Sequence, residues 1–582
     1  MTADESRPEG TPILVGVAWP YASGPRQLGH AAGAYVPADI FARYQRMAGN
    51  RVLMVSGSDM HGTPITVVAE RRGITAREVA EENHAVIAES FRRLGISYDL
   101  YTTTLTPIHY RVTQEFFTRL LDRGYLYQAT TLAMFDPEAE RFLPDRYVEG
   151  TCPHCGYTDA RGDQCDNCGH TLDPTDLIAP RSKLSGATPV TRETTHFFLD
   201  LPQFAEPLRL WVEANQHRWR PTVSSFVFAW LREGLRPRAI TRDIDWGVPI
   251  PLPGFDDKRI YVWFDAVIGY LSASVEWAER QGDPEAWRAW WESRPDGTAP
   301  GRSLYFVGKD NIPFHAIIWP AMLMGYGDLA LPTDVPANEF LTVGGQKISS
   351  SRSTTTVSLP WLHEFLDVFD ADALRFFLTI NAPESRDTEF SWDEFQRRNN
   401  DELVATYGNA VHRLLRFVER HFEGRVPAPG PLSDGDRALL ARIDATFVEA
   451  GTLIDGVHLR DGLRAVMALA QALNRYLDDA APWLSIKTDR ASAATSLWTA
   501  LQVVGAFRVL SAPFLPFSAQ QLHGFLGGDG DVHALPWAPA PLTEGHQLTV
   551  ANPLFRKLED DDLTDLIVRF NAGVAPDTGE PT

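Results

Sequence analysis

The chain has 582 residues, of which 75 are acidic and 54 basic, and a formal net charge of −21 at pH 7. Its 44% hydrophobic and 22% charged residues are typical of a globular protein, and its length predicts about two to four domains. The acidic balance argues against indiscriminate nucleic-acid binding, because phosphate contacts need a basic surface. No apolar run is long enough to cross a bilayer and the first dozen residues are polar, so we expect a cytoplasmic protein without membrane contact.

A strand, a glycine-containing loop and a helix are predicted at the start of the chain. Residues 13–19 are apolar, and after His30 apolar residues recur every three or four positions. Between them, Gly24 and Gly29 allow the backbone to approach a bulky anion, which the N–H groups at the helix start attract. The pattern indicates a phosphate site, and a plain tight turn with a surface histidine is the alternative interpretation.

A second strand is predicted at 51–57, followed by a polar turn that contains Asp59 and Gly62. In a doubly wound parallel sheet the loops after neighbouring strands form the ligand crevice, so Asp59 and the loop at 21–30 should face one site. A helix cap is the alternative role for Asp59. After an insertion at about 126–237, the alternation of strands and helices resumes and includes a strand at 303–308.

All four cysteines lie in this insertion, in two Cys-x-x-Cys pairs. Each pair turns both thiolates toward one metal, so Cys152, Cys155, Cys165 and Cys168 predict a tetrahedral structural zinc site. A redox pair is the poorer interpretation, because it needs only two cysteines and a thioredoxin-like context. No cysteine remains for a disulfide elsewhere, which is typical of a cytosolic protein.

Three features follow the insertion. Trp263 and Tyr270 are seven residues apart and share a helical face, as core aromatics or as part of a ligand pocket. Lys347 opens a basic, hydroxyl-rich segment with Ser350 and Arg352, which we predict to be a mobile loop after the apolar run at 340–343. From 395 to about 526, long amphipathic helices predict a bundle.

The loops at 20–30 and 347–352 resemble the HIGH and KMSKS signatures of class I aminoacyl-tRNA synthetases. Segments 19–21, 57–65, 241–243, 262–266 and 308–310 resemble those of methionyl-tRNA synthetases, in the same order. The chain is therefore identified as a member of that family over nearly its whole length. The implied fold is α/β, with a doubly wound parallel-sheet nucleotide-binding domain, a zinc-binding insertion and an all-α helix-bundle domain after it.

The predicted domains follow the same order. They are the first half of the nucleotide-binding domain at 1–125, the connective insertion with zinc knuckles at 126–237, the second half of the nucleotide-binding domain at 238–330, a linking domain with the Lys347 loop at 331–394, an anticodon-binding helical domain at 395–545 and a C-terminal tail at 546–582.

The resemblance also implies site residues. The methionine pocket would comprise Ala18, Trp19, Tyr21, Trp263, Val267, Tyr270, Asn311 and His315, and aromatic rings suit a flexible thioether. Asp59 would hold the substrate ammonium, with Arg242 as its ionic neighbour. ATP would contact Gly29, His30, Gly308, Asp310, Lys347 and Ser350. The catalytic residues would be His30, Lys347, Gln27 and Arg352, and the anticodon readers Asn409, Arg413 and Trp483.

The implied reaction is attack of the L-methionine carboxylate on the α-phosphate of Mg-ATP, followed by transfer of the methionyl group to tRNA(Met). Catalysis would consist mainly of positioning and electrostatic stabilisation at phosphorus. The implied partners are tRNA(Met), ATP and L-methionine, with Mg²⁺ accompanying ATP and Zn²⁺ in a structural role. We expect a monomer.

Three residues depart from the family signatures: Gln27 replaces a histidine, Ser23 an asparagine and Ser350 a second lysine. An amide donates a hydrogen bond but carries no proton charge. These departures motivate two alternatives to a working methionyl-tRNA synthetase. One is a paralogue that adenylates an amino acid for a non-tRNA acceptor. The other is a catalytically weakened tRNA-binding protein.

Overall fold

The computed structural model describes residues 10–144, 147–162, 165, 167, 172–293, 300–343, 346–347, 360–549 and 552–564, with only the backbone of 346–347. Cys168, Ser350 and Arg352 lie outside the described residues. The side chain of Lys347 does so as well.

A five-stranded parallel sheet forms the centre of the nucleotide-binding half. Its strands, in spatial order, are Ala337–Asn338, Arg302–Gly308, Pro12–Val17, Arg51–Ser58 and Leu100–Thr103. Helices cover both faces, so strand residues such as Leu14, Val15 and Leu53 are fully buried, as the apolar runs predict. The predicted α/β fold with a parallel sheet is therefore confirmed.

The helices of this half connect the strands. They are Leu28–His30, Ala31–Tyr35 (π), Val36–Met47, Thr63–Arg72, Ala76–Leu94, Pro107–Asp122, Val262–Gln281, Arg288–Trp291, Lys309–Asn311 (3₁₀), Phe314–Ile318 (π) and Trp319–Tyr326. Both π segments precede a proline that starts the next helical turn, Pro37 and Pro320. A proline lacks the N–H that an α-helical bond needs, and π-bulges are frequent at functional sites.

The insertion is built from two antiparallel sheets. The larger one orders Arg238–Ala239, Val190–Leu199, Leu126–Asp136 and Arg141–Phe142. The smaller one orders Ala160–Arg161, Val148–Thr151 and Ile178–Ser182 and adjoins the cysteines. Two 3₁₀ turns (Pro174–Asp176 and Leu201–Phe204), helices Ala205–Asn215 and Pro221–Glu233 and the strand pair Thr241–Arg242 and Arg259–Ile260 complete the return to the central sheet.

A small sheet and two helices link the catalytic half to the bundle. The sheet contains Leu341–Val343, Gln346–Lys347 and Thr388–Glu389, and the helices are Leu362–Leu366 and Ala371–Ile380. The predicted helical domain then comprises Trp392–Arg397, Arg398–Gly408 (π), Asn409–Phe422, Asp434–Asp455, Leu459–Ala480, Pro482–Ser485, Arg490–Leu510, Pro516–Phe525 and the 3₁₀ turn Val532–Ala534.

Within the described part of the chain, the helix Arg490–Leu510 is long and apolar enough to cross a bilayer, and 89% of its apolar window is buried inside the fold. That burial is typical of a core helix. The bundle core is continuous with one face of the central sheet, in a single cluster of buried apolar residues that runs from Ile13 to Leu563.

Arg375 fastens the bundle side to the first helices of the chain. Its side chain is fully buried, and its guanidinium lies 2.7 Å from the carboxylate of Asp39 on the helix Val36–Met47. It also donates to the carbonyl oxygens of Leu94, Pro513 and Phe514. Arg375 and the neighbouring Arg43 hold the pKa of Asp39 well below its usual range, despite complete burial.

Candidate active site

The loops after the first two strands lie side by side, as predicted. The N–H of Asp59 donates to the carbonyl of Pro20, and the N–H of Ala22 donates to the carbonyl of Asp59, both at 2.8 Å. These bonds extend the parallel pairing of the strands beyond their ends, to Tyr21 and Asp59. Asp59 therefore lies next to the start of the loop that carries Gln27 and His30.

His30 is oriented by the backbone of the signature loop. The N–H of Gln27 donates to Nδ1 of His30 at 3.3 Å, so a neutral imidazole carries its proton on Nε2 and keeps that nitrogen as a donor. The side chain of Gln27 is 9% exposed, and its Oε1 is buried without a hydrogen-bond partner in the described structure. Gln27 thus brings a neutral amide to the place where the family signature has an imidazole.

Arg26 lies beneath the same loop and was not predicted from the sequence. Its side chain is buried, and its Nη2 donates to the carbonyls of Tyr21 and Gly24 at 2.9 and 2.5 Å. Burial lowers its pKa, and no described carboxylate pairs with it. The only indication in the sequence was the presence of a charged residue between Pro25 and Gln27.

The four aromatic rings predicted for the methionine side chain form two contacting pairs, Tyr21 with Trp263 and Trp19 with Tyr270. Trp263 stacks on Phe314 at 4.3 Å and meets the edge of Tyr21 at 5.7 Å between ring centroids. The ring of Trp19 packs against Gly57 of the strand Arg51–Ser58 and Gly269 of the helix Val262–Gln281. A Cβ at these glycines would lie only 2.3 and 2.6 Å from the ring, so only glycine fits. Ala18 is half-buried next to Trp19.

His315 fixes the polar group of Tyr270, one of these four rings. His315 donates from Nδ1 to the carbonyl of Asn311 at 2.9 Å and accepts the Tyr270 hydroxyl at Nε2 at 2.7 Å. Burial lowers the pKa of His315 to about 4, so the ring is neutral at physiological pH. Val267 is buried one turn before Tyr270 on the same helix. The rings of His315 and Tyr270 are therefore uncharged, and their polar groups are hydrogen-bonded to each other and to the backbone.

The carboxylate of Asp59 is buried, and no ion pair joins it to Arg242 in the described structure. Oδ1 of Asp59 accepts from the N–H of His61 at 3.1 Å, and burial together with the charge of Asp265 raises the pKa of Asp59 well above its usual range. Arg242 instead donates to the carbonyls of Ala239 and Thr241 and lies 3.9 Å above the ring of Tyr261. The guanidinium of Arg242, which was expected next to Asp59, is bound by backbone carbonyls and the face of an aromatic ring instead.

Arg242 still lines one small cavity with Tyr21, His61 and Trp263. A buried cluster of His61, His109 and Asp265 lies behind this cavity, and it was missed from the sequence. His61 belongs to the polar turn after Asp59, but nothing in the sequence indicated which residue its ring would contact.

Two of the residues predicted for ATP, Gly308 and Asp310, lie at the end of the neighbouring strand. Gly308 ends the strand Arg302–Gly308, and the exposed Asp310 follows in the turn Lys309–Asn311. A Cβ at Gly308 would lie 2.9 Å from Oδ1 of Asp310. Gly29 is half-exposed beside His30. The backbone of Lys347 pairs with Thr342 in the linking sheet.

Three of the four predicted zinc ligands are brought together. The Sγ atoms of Cys152, Cys155 and Cys165 lie within 4.8 Å of one another, and those of Cys155 and Cys165 are 3.6 Å apart. Thiolates are the ligands that structural zinc prefers, so these residues fit the metal. The fourth, Cys168, lies outside the described residues.

The predicted anticodon residues meet on the bundle. The guanidinium of Arg413 lies 5.4 Å from the ring centroid of Trp483, and both line a cavity of about 760 Å³ with Asn474 and Pro482. Asn409 is exposed at the first residue of the helix Asn409–Phe422 and does not line the cavity. The structure therefore groups Arg413 with Trp483 and leaves Asn409 one turn away.

Two family models match the chain and together cover most of it. "tRNA synthetases class I (M)" matches residues 13–415, and "Anticodon binding domain of methionyl tRNA ligase" matches residues 426–575. The chain thus belongs to the class I aminoacyl-tRNA synthetases, the class that its parallel sheet and paired signature loops define.

Within that class, the chain belongs to the methionyl-tRNA synthetase family. It is 53% identical over 591 residues to the methionine–tRNA ligase of Roseiflexus sp. strain RS-1, covering 97% of this chain and 99% of the relative. It is 51% identical over 575 residues to that of Thermomicrobium roseum, covering 94% and 97%. The family and enzyme class predicted from the sequence are confirmed.

A solved structure has the same architecture. The methionyl-tRNA synthetase of Mycobacterium tuberculosis bound by methionyl-adenylate superposes with a TM-score of 0.77 at 25% identity, covering 94% of this chain and 100% of that chain.

Proposed function

We propose that this chain activates L-methionine with ATP and transfers the methionyl group to tRNA(Met). The observation that carries the proposal is that Tyr21, whose ring meets Trp263, pairs with the buried Asp59 at the strand ends, next to the loop that carries His30. A zwitterionic amino acid with a soft apolar side chain fits this combination. Its ammonium meets Asp59, and its thioether meets rings.

In the amino-acid half, Trp19, Tyr21, Trp263 and Tyr270 enclose the methionine side chain, together with Ala18, Val267, Asn311 and His315. The neutral His315 accepts a hydrogen bond from the hydroxyl of Tyr270, so neither of these two rings carries a charge toward the thioether. Arg242 lines the small cavity, where its guanidinium is held by a backbone carbonyl and not by Asp59.

In the ATP half, His30 donates from Nε2 toward the phosphates, and the backbone near Gly29 allows them to approach. Gly308 and Asp310 bind the nucleoside side, while Lys347, Ser350 and Arg352 bring donors to the departing pyrophosphate. Gln27 contributes a neutral hydrogen bond. Mg²⁺ would neutralise phosphate charge when it accompanies ATP. The protein's own part is positioning of the two substrates and stabilisation of charge at phosphorus.

In the rest of the chain, Cys152, Cys155, Cys165 and Cys168 hold a structural zinc ion. Asn409, Arg413 and Trp483 bind the anticodon, and the cavity beside Arg413 and Trp483 supports this role because stacked aromatic and guanidinium planes suit unstacked bases. We propose the domain boundaries given above, a cytoplasmic location and a monomeric state.

The test is ATP–pyrophosphate exchange with a panel of amino acids, followed by charging of purified tRNA(Met). We expect exchange that depends on methionine and charging by the same protein. Exchange without charging would favour the adenylating paralogue, and tRNA binding with neither activity would favour the silent tRNA-binding protein.

A further inference from the structure

A buried acid–imidazole network lies directly behind Asp59. Nδ1 of His61 contacts Oδ2 of Asp265 at 2.8 Å, and Nε2 of His109 lies 3.9 Å from the same oxygen. All three side chains are at most 2% exposed. Asp265 lies in the first turn of the helix Val262–Gln281, which also carries Trp263 and Tyr270 of the proposed methionine pocket.

His61 joins this network to Asp59. Its backbone N–H donates to Oδ1 of Asp59, while its ring contacts Asp265. His61 therefore contacts both carboxylates, that of Asp59 through its backbone and that of Asp265 through its ring. No Lys or Arg ion-pairs with either carboxylate within the described part of the chain. The remaining oxygen of Asp265, Oδ1, is buried and has no hydrogen-bond partner among the residues that the structure describes.

Packing fixes His61 in this arrangement. Its Nε2 lies 3.1 Å from the hydroxyl of Tyr110, and the ring of Trp246 meets it edge-on at 5.9 Å. Trp246 in turn donates from its indole N–H to the carbonyl of Met60, at 2.7 Å. The imidazole therefore cannot turn away from Asp265 without breaking contacts on both sides.

We propose that Asp265 is a positioning residue for the amino-acid ammonium: acting through His61, it holds Asp59 in place and adds a second negative charge behind it. This rests on the proposed function, in which Asp59 meets the ammonium. Two buried carboxylates without a lysine or arginine partner in the described structure are an unfavourable arrangement in the empty site, and a substrate that carries a positive charge relieves it. The arrangement selects a zwitterion over a neutral analogue that lacks the ammonium.

The proposed contact also makes methionine binding depend on pH, because Asp59 must be deprotonated to pair with the ammonium. Burial and the charge of Asp265 raise the pKa of Asp59, so lowering the pH protonates Asp59 and weakens its contact with the ammonium. Removing the charge of Asp265 should move this weakening to lower pH. The other titratable or charged groups around the network are His61, His109, Tyr110, Glu276, Arg77 and Arg259.

The test compares Asp265→Asn with Glu276→Gln in the full-length chain. Glu276 is a matched control, because it is a buried carboxylate on the same helix that faces His109 of the network, accepts from Thr102 and pairs with Arg280, whereas Asp265 is the charge that acts on Asp59. The measurements are the methionine Kd from pH 5.5 to 8, the affinity for methioninol and for a neutral analogue without the amino group, and the KM for ATP.

We expect Asp265→Asn to raise the methionine Kd about tenfold at pH 8 and to move its acid limb down by about one pH unit, since a neighbouring charge shifts a pKa by that order. Binding of the analogue without the ammonium and the KM for ATP should change less than about twofold. Equal losses for both ligands, or a Kd and an acid limb like those of Glu276→Gln, would overturn the inference.

If Asp265→Asn does not fold, His61→Gln decides the matter, because it keeps the backbone N–H to Asp59 and removes the ring that reaches Asp265. We expect the same selective loss of ammonium-bearing ligands, and an unselective loss would overturn the inference. A parent protein that binds no methionine would instead contradict the proposed function, so the two failures are distinguishable.

Discussion

Replacing Arg375 by methionine tests whether one buried cation holds the bundle against the nucleotide-binding half. The change keeps an unbranched, apolar stem and removes the guanidinium, so Asp39 retains Arg43 and Ser97 but loses its fully buried partner. Three carbonyl oxygens, those of Leu94, Pro513 and Phe514, lose their donor at the same time. Breaking a buried ion pair on one side costs about 3–5 kcal/mol.

The assay is urea unfolding of the full-length chain, followed by far-UV circular dichroism. With a slope of about 3 kcal/mol/M, the expected cost lowers the midpoint by about 1–1.7 M. Arg43→Met is the control, because Arg43 pairs with the same carboxylate at 2.8 Å but is 12% exposed, and we expect at most half the effect. The double variant Asp39→Asn/Arg375→Met should be less destabilised than the sum of its singles. A loss below about 1 kcal/mol for Arg375→Met, or strict additivity, would refute the reasoning.

Trp263→Ala should raise the methionine KM at least about a hundredfold, since it removes a ring stacked on Phe314 at a cost of about 3 kcal/mol or more; unchanged methionine kinetics would contradict the pocket. Gln27→His should raise the kcat of adenylate formation about tenfold or more with little change in methionine KM, and an equal or lower kcat would mean that the site is adapted to an amide. Cys152→Ser should lower zinc content by metal analysis and the thermal stability of the insertion, whereas a metal-free, fully stable parent would remove the zinc assignment. Trp483→Ala should impair tRNA charging and spare pyrophosphate exchange, and parallel losses would make Trp483 a structural support instead.

Much of the sheet was predictable because local patterns decide it. The apolar runs at 13–19 and 51–57 can be buried on both faces only in a covered sheet, and the polar turn at Asp59 must then follow a strand end. Strand-end loops of neighbouring parallel strands meet, which is why Asp59 and the His30 loop could be placed together without coordinates.

The contacts between distant segments were not predictable in the same way. His61 meets Asp265 across 204 residues of sequence separation, and nothing in either segment identifies the other. Arg242 was expected to seek a carboxylate, but nearby carbonyls and the ring of Tyr261 satisfy it locally. The burial of Arg26 depends on how the signature loop closes over it, which only the tertiary structure determines.

The single apolar cluster that joins the sheet to the bundle has a consequence for how the protein is made. Ile13, Val15 and Val17 leave the ribosome long before Leu558 and Leu563, which belong to the same buried cluster. Domains generally fold as units during synthesis, but here one face of the N-terminal sheet stays incompletely covered until the bundle has emerged. Contacts of such long sequence separation form slowly. The nascent chain therefore exposes part of this apolar surface until the bundle has been synthesised, and the yield of folded protein should depend on chaperones that shield apolar surface during that time.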